Sequence, residues 1–397
     1  MSKNNNFLQE ESLTNTICVH AGVEPDEKTG AVLTPIFQST TFIQESIDEY
    51  LSKGFSYSRQ ANPTVSALEE KISILENGFG TTCVSSGMAA TTTVVTGLMN
   101  SGDHCIIIDS SYGGTNRICR KQFIPLGMEF DFVDFRDLDL IKNKIKSNTK
   151  IIFNEMPSNP LLRLSDLEEI SKIAHDNNLY HVCDSTFATP IILKPLNYGV
   201  DVVIQSTTKY YDGHNMTIGG AIISKTKELN DRMHFVSNMH GNIMTPHNAF
   251  LTLQTCKTLN LRVVKQSNNA LKLAQWLEQN NKIEKVIYPG LDSFPQINLV
   301  KKYFKNNLYG GMLWFDVKGG DKEAIKLMNN IKRPWSLCEN LGATESIITA
   351  CAVMTHANML PEDREKVGIT DGFIRISCGI EDEEDLISAL EEALSIE

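Results

Sequence analysis

The feature that most restricts how this chain can fold is an alternation that begins near Thr81. Short apolar runs, Thr82–Val84, Cys105–Asp109, Lys150–Glu155, Leu179–Asp184, Val202–Gln205 and Gly220–Ser224, are separated by segments long enough to form helices. Strands that alternate with helices predict a largely parallel sheet covered on both faces, because each crossover must lie over the sheet. One crossover is well marked. Ser165 and Glu168 read as a capping box, Leu167, Ile170 and Ile173 repeat every third residue, and Asp176-Asn177-Asn178 stops the helix.

Around this core the texture changes twice. The first fifty-odd residues lack periodicity and carry breakers at Pro25, Gly30 and Pro35, so residues 1–58 read as an extended arm and 59–254 as the large domain. Beyond Gln254 a long helix is expected over Leu261–Asn280. A strand at Val286-Ile287-Tyr288, a β-rich stretch over Gly311–Val317 and an acidic helix over Glu383–Ile396 follow. Residues 255–397 therefore read as a smaller α+β domain.

Charge narrows the partners. With 37 Lys and Arg against 48 Asp and Glu, the net charge is −11, which opposes binding to a polyphosphate backbone, so no nucleic-acid partner is expected. The longest apolar stretches fall short of the roughly 20 residues of a membrane span. The opening Met1-Ser2-Lys3-Asn4-Asn5-Asn6 has no apolar core of a secretory signal, and the nine cysteines are odd in number and form no C-x-x-C pair. A cytoplasmic protein with reduced, buried thiols and no metal site is the expectation.

Four strand ends carry candidate chemistry, and in an open α/β sheet ligands gather at the carboxyl ends of strands. Val203-Ile204-Gln205 runs into Ser206, Thr207, Thr208 and Lys209, placing one amine beside hydroxyls suited to a phosphate. Asp184 closes the preceding strand, where it either caps a helix or pairs with a pyridinium nitrogen. Ser85, Ser86, Gly87 and Met88 lead from a strand into a helix and offer free N–H groups to an anion. The nearby Gly78-Phe79-Gly80 is not a dinucleotide fingerprint: it precedes the strand, and Cys83 occupies the third glycine position. Finally Tyr112 stands before Gly113 and Gly114, where its ring either packs or stacks on a flat cofactor.

In order and spacing these segments resemble the Cys/Met-metabolism family of enzymes dependent on pyridoxal 5′-phosphate (PLP). The resemblance extends to Val19-His20-Ala21-Gly22, Thr34-Pro35-Ile36, Tyr57-Ser58-Arg59-Gln60-Ala61-Asn62-Pro63-Thr64, Glu345-Ser346-Ile347, Met354-Thr355-His356 and Ile374–Asp382. The run Ser206–His214 is its most specific part. It implies an α/β fold of PLP-dependent fold type I, resembling aspartate aminotransferase. It also implies Lys209 as the residue that holds PLP as a Schiff base and moves protons, Asp184 opposite the pyridine nitrogen, and Tyr112 on the ring. Ser86, Gly87, Met88, Ser206 and Thr208 would cradle the phosphate, with Asn159 and Thr186 as lesser contacts. Tyr57 and Arg59 would reach a neighbouring subunit's cofactor, in a homo-oligomer expected to be a tetramer built as a dimer of dimers. Arg375 would take the substrate α-carboxylate, a task that suits its planar fork. His20, His214 and His356 read as packing or turn residues.

The chain departs from the resembled pattern in places. Asn340-Leu341-Gly342-Ala343 stands for Ser-Leu-Gly-Gly, so the serine side chain that in the resembled family helps hold substrate and lysine is absent, and at Asn340 the backbone N–H is left to serve the substrate. Gly114 stands where methionine γ-lyases carry a cysteine. Glu339 stands where cystathionine γ enzymes carry a glutamate, and would meet the distal ammonium of the substrate. The expected substrate is thus a small sulfur amino acid, and the expected reaction the α,γ-elimination of L-cystathionine. A cystathionine γ-synthase, a methionine γ-lyase, an O-acetylhomoserine sulfhydrylase, a β-lyase and an aminotransferase on the same fold are the alternatives.

Overall fold

In the computed structural model the described residues are 13–351, 354, 368 and 370–396; Thr355 and His356 lie outside them. Seven strands build the first sheet: β1 Gly80–Val84, β2 His104–Ile108, β3 Glu129–Val133, β4 Thr149–Glu155, β5 Tyr180–Asp184, β6 Val202–Gln205 and β7 Gly220–Ser224. Their order is β1-β7-β6-β5-β4-β2-β3, with β7 antiparallel to both neighbours and the other pairs parallel. Since β7 reverses twice, β1 points the same way as β6. The carboxyl ends of β1, β2, β4, β5 and β6 therefore open on one edge.

Apolar alternation decides which face each helix covers. In β2, Cys105 and Ile107 join Val94, Val95 and Met233 on one face. Ile106 and Ile108 join Ile170, Ile173 and Ala174 on the other. Burial on both faces explains why the central strands read as continuous apolar runs. β3 escaped the sequence reading because Glu129-Phe130-Asp131-Phe132-Val133 sits at the sheet edge, where one face meets solvent and acids interrupt the apolar signal.

The crossover helix spans Leu167–Asp176, but its cap differs from expectation. Asp166, not Ser165, accepts from the N–H of Glu169, because the helix starts one residue later. Ser165 is buried, its N–H on the sulfur of Met156. The stop is where expected, with Asn177 as C-cap and Asn178 at φ 55°.

From β7 the chain continues through helices Lys227–His240, Pro246–Thr255 and Leu259–Gln279 to a second sheet. That sheet comprises β8 Ile283–Ile287, β9 Met312–Val317, β10 Ser336–Leu337, β11 Ile347–Ala350 and β12 Phe373–Ser377, in the order β10-β11-β12-β9-β8. Ile374 and Ile376 of β12 face the core beneath the final helix, Glu383–Ser395. The pleat consequently turns Arg375 to the opposite face. On that face the Trp314 ring stacks on Phe373 at 4.5 Å, and its indole N–H donates to the carbonyl of Leu161 at 3.2 Å. The second sheet is thereby fixed to the loop after β4.

Candidate active site

Two carboxylates close adjacent strands. Glu155 and Asp184 are register partners at the ends of β4 and β5. Asp184 Oδ1 accepts from the N–H of Thr186 at 3.0 Å and from its hydroxyl at 2.6 Å, while among the described residues Oδ2 has no protein partner. Burial raises the Asp184 pKa, and the Thr186 bonds oppose the rise. Glu155 is pushed well above the usual carboxylate range by burial and then by the charge of Asp184. Two like charges side by side oppose each other's ionisation, which adds to the rise at Glu155. The Thr186 hydroxyl also accepts from the N–H of Ser206 at 2.9 Å, which links the ends of β5 and β6.

Lys209 lies in the turn after β6. Its Nζ donates to Asn340 Oδ1 at 2.6 Å, a contact across 131 residues of sequence. Burial, and then the charge of Arg375, lower its pKa from 10.5 to about 8. Such an amine is far more readily neutral, and hence nucleophilic or basic, than an exposed lysine. Thr208 Oγ1 accepts from the N–H of Gly219 at 3.0 Å and donates to the carbonyl of Gly219 at 3.2 Å, closing the loop.

Facing this turn is the N-terminus of the helix Gly87–Leu98. Ser86 caps it by accepting from the N–H of Ala89 at 3.0 Å. The N–H groups of Gly87 and Met88 precede the first intrahelical bond and are available to an anion. Glycine is required here by approach: a Cβ on Gly87 would meet Ser206 Cβ at 2.9 Å. A Cβ on Gly220 would meet the Ser86 carbonyl at 2.2 Å.

The N–H of Tyr112 donates to Glu155 Oε2 at 2.6 Å, and the side chain is 44% exposed. A Cβ on Gly114 would meet Tyr112 Cε1 at 2.5 Å and Met88 Sδ at 2.8 Å, so the glycine makes room for the ring. Arg375, only 6% exposed, donates to Asn159 Oδ1 at 3.1 Å and to the carbonyl of Asn340 at 3.4 Å. Glu339, beside Asn340, is exposed.

Lys209, Asn340, Arg375 and Asn159 thus form one contact chain, and Ser206, Thr186 and Asp184 another. Tyr57 and Arg59 join neither. Arg59 donates to the carbonyl of Asn238 at 2.8 Å and lies 5.6 Å from the Tyr57 ring centre. Both are on the surface. Eight of the nine cysteines are buried, Cys338 is exposed, and all are free. A cavity of about 320 Å³ among Lys282, Lys318, Lys326 and Leu394 is lined by none of the site residues. Sequence reasoning missed Glu155, although it ends a central strand just as Asp184 does.

The residues fit PLP. Free N–H groups facing the Ser206 hydroxyl suit a phosphate, Asp184 Oδ2 suits a protonated ring nitrogen, and Lys209 offers the amine. Fold and site together define a PLP-dependent enzyme of fold type I. The family model for "Cys/Met metabolism PLP-dependent enzyme" matches residues 15–395. A cystathionine β-lyase of Coxiella burnetii is 42% identical over 99% of this chain and 100% of its own. A cystathionine γ-lyase of Bacillus subtilis is 41% identical over 96% of this chain and 98% of its own. The crystal structure of a cystathionine γ-lyase from Lactobacillus plantarum, complexed with L-serine, superposes with a TM-score of 0.92 at 35% identity. It covers 97% of this chain and 99% of that one. The chain belongs to the Cys/Met metabolism PLP-dependent family and is a carbon–sulfur lyase of the trans-sulfuration type. No helix among the described residues is long and apolar enough to cross a membrane.

Proposed function

We propose that this enzyme catalyses the α,γ-elimination of L-cystathionine, which with water yields cysteine, 2-oxobutanoate and ammonia. The observation that carries the reading is the position of Glu339. Its exposed carboxylate has no hydrogen-bond or ionic partner among the described residues, and it adjoins Asn340, which touches both Lys209 and Arg375. A substrate whose α-carboxylate is forked by Arg375 would extend a distal ammonium along this segment, where Glu339 offers the opposite charge.

Bound PLP supplies the electron sink that makes the α-hydrogen acidic. Lys209, with a pKa near 8, takes the α-proton as its free amine and then moves a β-proton. Tyr112 donates a proton to the departing thiolate. Asp184 and the hydroxyls of Ser206 and Thr208 hold the cofactor, with Ser86, Gly87, Met88, Asn159 and Thr186 around it. Tyr57 and Arg59 complete the site of a neighbouring copy, which makes the working enzyme a homo-oligomer, expected to be a tetramer.

Product analysis tests the reaction. The PLP-loaded protein is given L-cystathionine, and separately an O-acyl-homoserine with cysteine. Cysteine and 2-oxobutanoate are expected from the first. Pyruvate and homocysteine would show β-elimination, and efficient cystathionine synthesis would show γ-replacement; either overturns the proposal. Glu339→Ala is expected to raise KM for cystathionine about fivefold while leaving kcat near its original value, the loss of one part-exposed charge contact.

A further inference from the structure

Asn340 does more than touch the lysine. Its Nδ2 donates to Asn215 Oδ1 at 2.6 Å, and Asn215 Nδ2 donates to Glu345 Oε2 at 3.0 Å. A line of side chains therefore runs Glu345–Asn215–Asn340–Lys209. Its direction is forced from both ends. A carboxylate can only accept, so Asn215 must turn its NH₂ to Glu345 and its oxygen to Asn340. Asn340 must then turn its NH₂ to Asn215, which leaves only its oxygen for Lys209. At the other end an ammonium can only donate, and the two requirements agree.

The backbone holds both links in place. Asn215 sits at φ 56°, a left-handed conformation that asparagine tolerates better than most residues. Asp212, which is fully buried, accepts through Oδ2 from the N–H groups of His214 and Met216, clamping the turn on both sides of Asn215. On the other strand of the relay, Thr344 N–H donates to the carbonyl of Gly213 at 2.8 Å and Ser346 N–H to Glu381 Oε1 at 2.6 Å. These two bonds bracket Glu345.

We propose that Asn215 and Glu345 are positioning residues that fix the Asn340 amide as an obligate hydrogen-bond acceptor for the free Lys209 amine, supporting that amine as a proton acceptor. A serine at position 340 would have a hydroxyl free to donate or accept, indifferent to Asn215. The asparagine ties the lysine's environment to a carboxylate two side chains away. Among the described residues, the charged and titratable groups on the surrounding elements include Arg375 on β12, Glu155 and Asp184 at the ends of β4 and β5, Tyr210, Asp212 and His214 on the lysine's own loop, and Glu339, Glu345 and Glu381 beyond it. Of these, Arg375 opposes protonation of Lys209, whereas an acceptor fixed on its amine favours the ammonium.

The inference rests on Lys209 as the cofactor-bearing lysine and not on γ-elimination. Full-length protein stripped of PLP is mixed with PLP across a pH series, trapped with borohydride, and the label at Lys209 is followed by mass spectrometry. The acid limb of kcat against pH is measured on the loaded enzyme. In Glu345→Gln and Asn215→Gly the amine should be neutral more often. Capture at pH 7 should then rise roughly three- to tenfold, the part of a charge-assisted hydrogen bond that survives partial exposure. The acid limb of kcat should move to lower pH. In an Asn340→Ser background, Glu345→Gln should move neither profile.

Unchanged profiles in both single variants would overturn the inference. So would capture slowed equally at every pH, since that is what loosened packing produces. Label absent from Lys209 in the unsubstituted protein would instead sink the reading of Lys209 itself.

Discussion

Replacing Arg375 by lysine tests how the substrate is held. The guanidinium spends two of its donors on Asn159 Oδ1 at 3.1 Å and the Asn340 carbonyl at 3.4 Å. Those bonds fix its plane and leave the remaining donors for a substrate carboxylate. Lysine keeps the charge but has a single ammonium, which cannot serve two protein acceptors and both carboxylate oxygens. The variant loses about one charge-assisted hydrogen bond to the substrate, about 1.5–3 kcal/mol. At 1.4 kcal/mol per tenfold, kcat/KM should fall roughly 10- to 150-fold. Steady-state kinetics on the substrate the enzyme turns over fastest would read this, with bound PLP quantified in parallel to show an intact cofactor. Because the charge is kept, Lys209 should titrate near its original pH. In Arg375→Gln, where the charge that lowers it is gone, its pKa should rise. A kcat/KM for Arg375→Lys within threefold of the original would refute the assignment of Arg375 to the carboxylate.

Lys209→Ala should abolish turnover and covalent PLP capture together, read by product release and by borohydride trapping; retention of either contradicts its role. Gly114→Cys places a Cβ 2.5 Å from Tyr112 Cε1, while the N–H of Tyr112 stays anchored on Glu155. The ring must rotate, and kcat should fall by up to about 100-fold, the low end of what a positioned general acid contributes. Glu76, fully buried, accepts from Gln205 and Tyr211 on either side of the Lys209 turn, and burial raises its pKa from 4.5 to about 7. The folded state holds that proton more tightly than the unfolded one, so stability is lost as pH rises from 4.5 towards 7. Glu76→Gln should remove this loss and gain up to about 3 kcal/mol over the parent at pH 8 relative to pH 4, measured by denaturant unfolding.

Much of the first sheet was legible in the chain. The apolar runs of β2, β4, β5, β6 and β7 are buried on both faces over most of their length, so nearly continuous apolar stretches carry the signal. Where burial is one-sided the signal weakens, and β3 was missed for that reason. The helix cap at Asp166 was missed because two adjacent side chains, Ser165 and Asp166, can both cap; packing chose between them by burying the serine. Lys209, Asp184 and Tyr112 were visible as residues closing or following strands. Glu155 occupies an equivalent position and went unread. Its importance comes from the register that sets it beside Asp184, and register is not written within either strand.

Local sequence dictated the alternating strands and helices, the glycines that permit close approach, and an amine set beside hydroxyls at a strand end. These are local properties, fixed by a side chain's volume, its hydrogen-bonding groups and its spacing from near neighbours. Tertiary packing alone brings Lys209 to Asn340, Arg375 to Asn159, and Asn340 to Asn215 and Glu345. Those contacts span more than a hundred residues of chain. They depend on how the second sheet seats against the first, which the packing of both cores sets jointly and no single segment encodes.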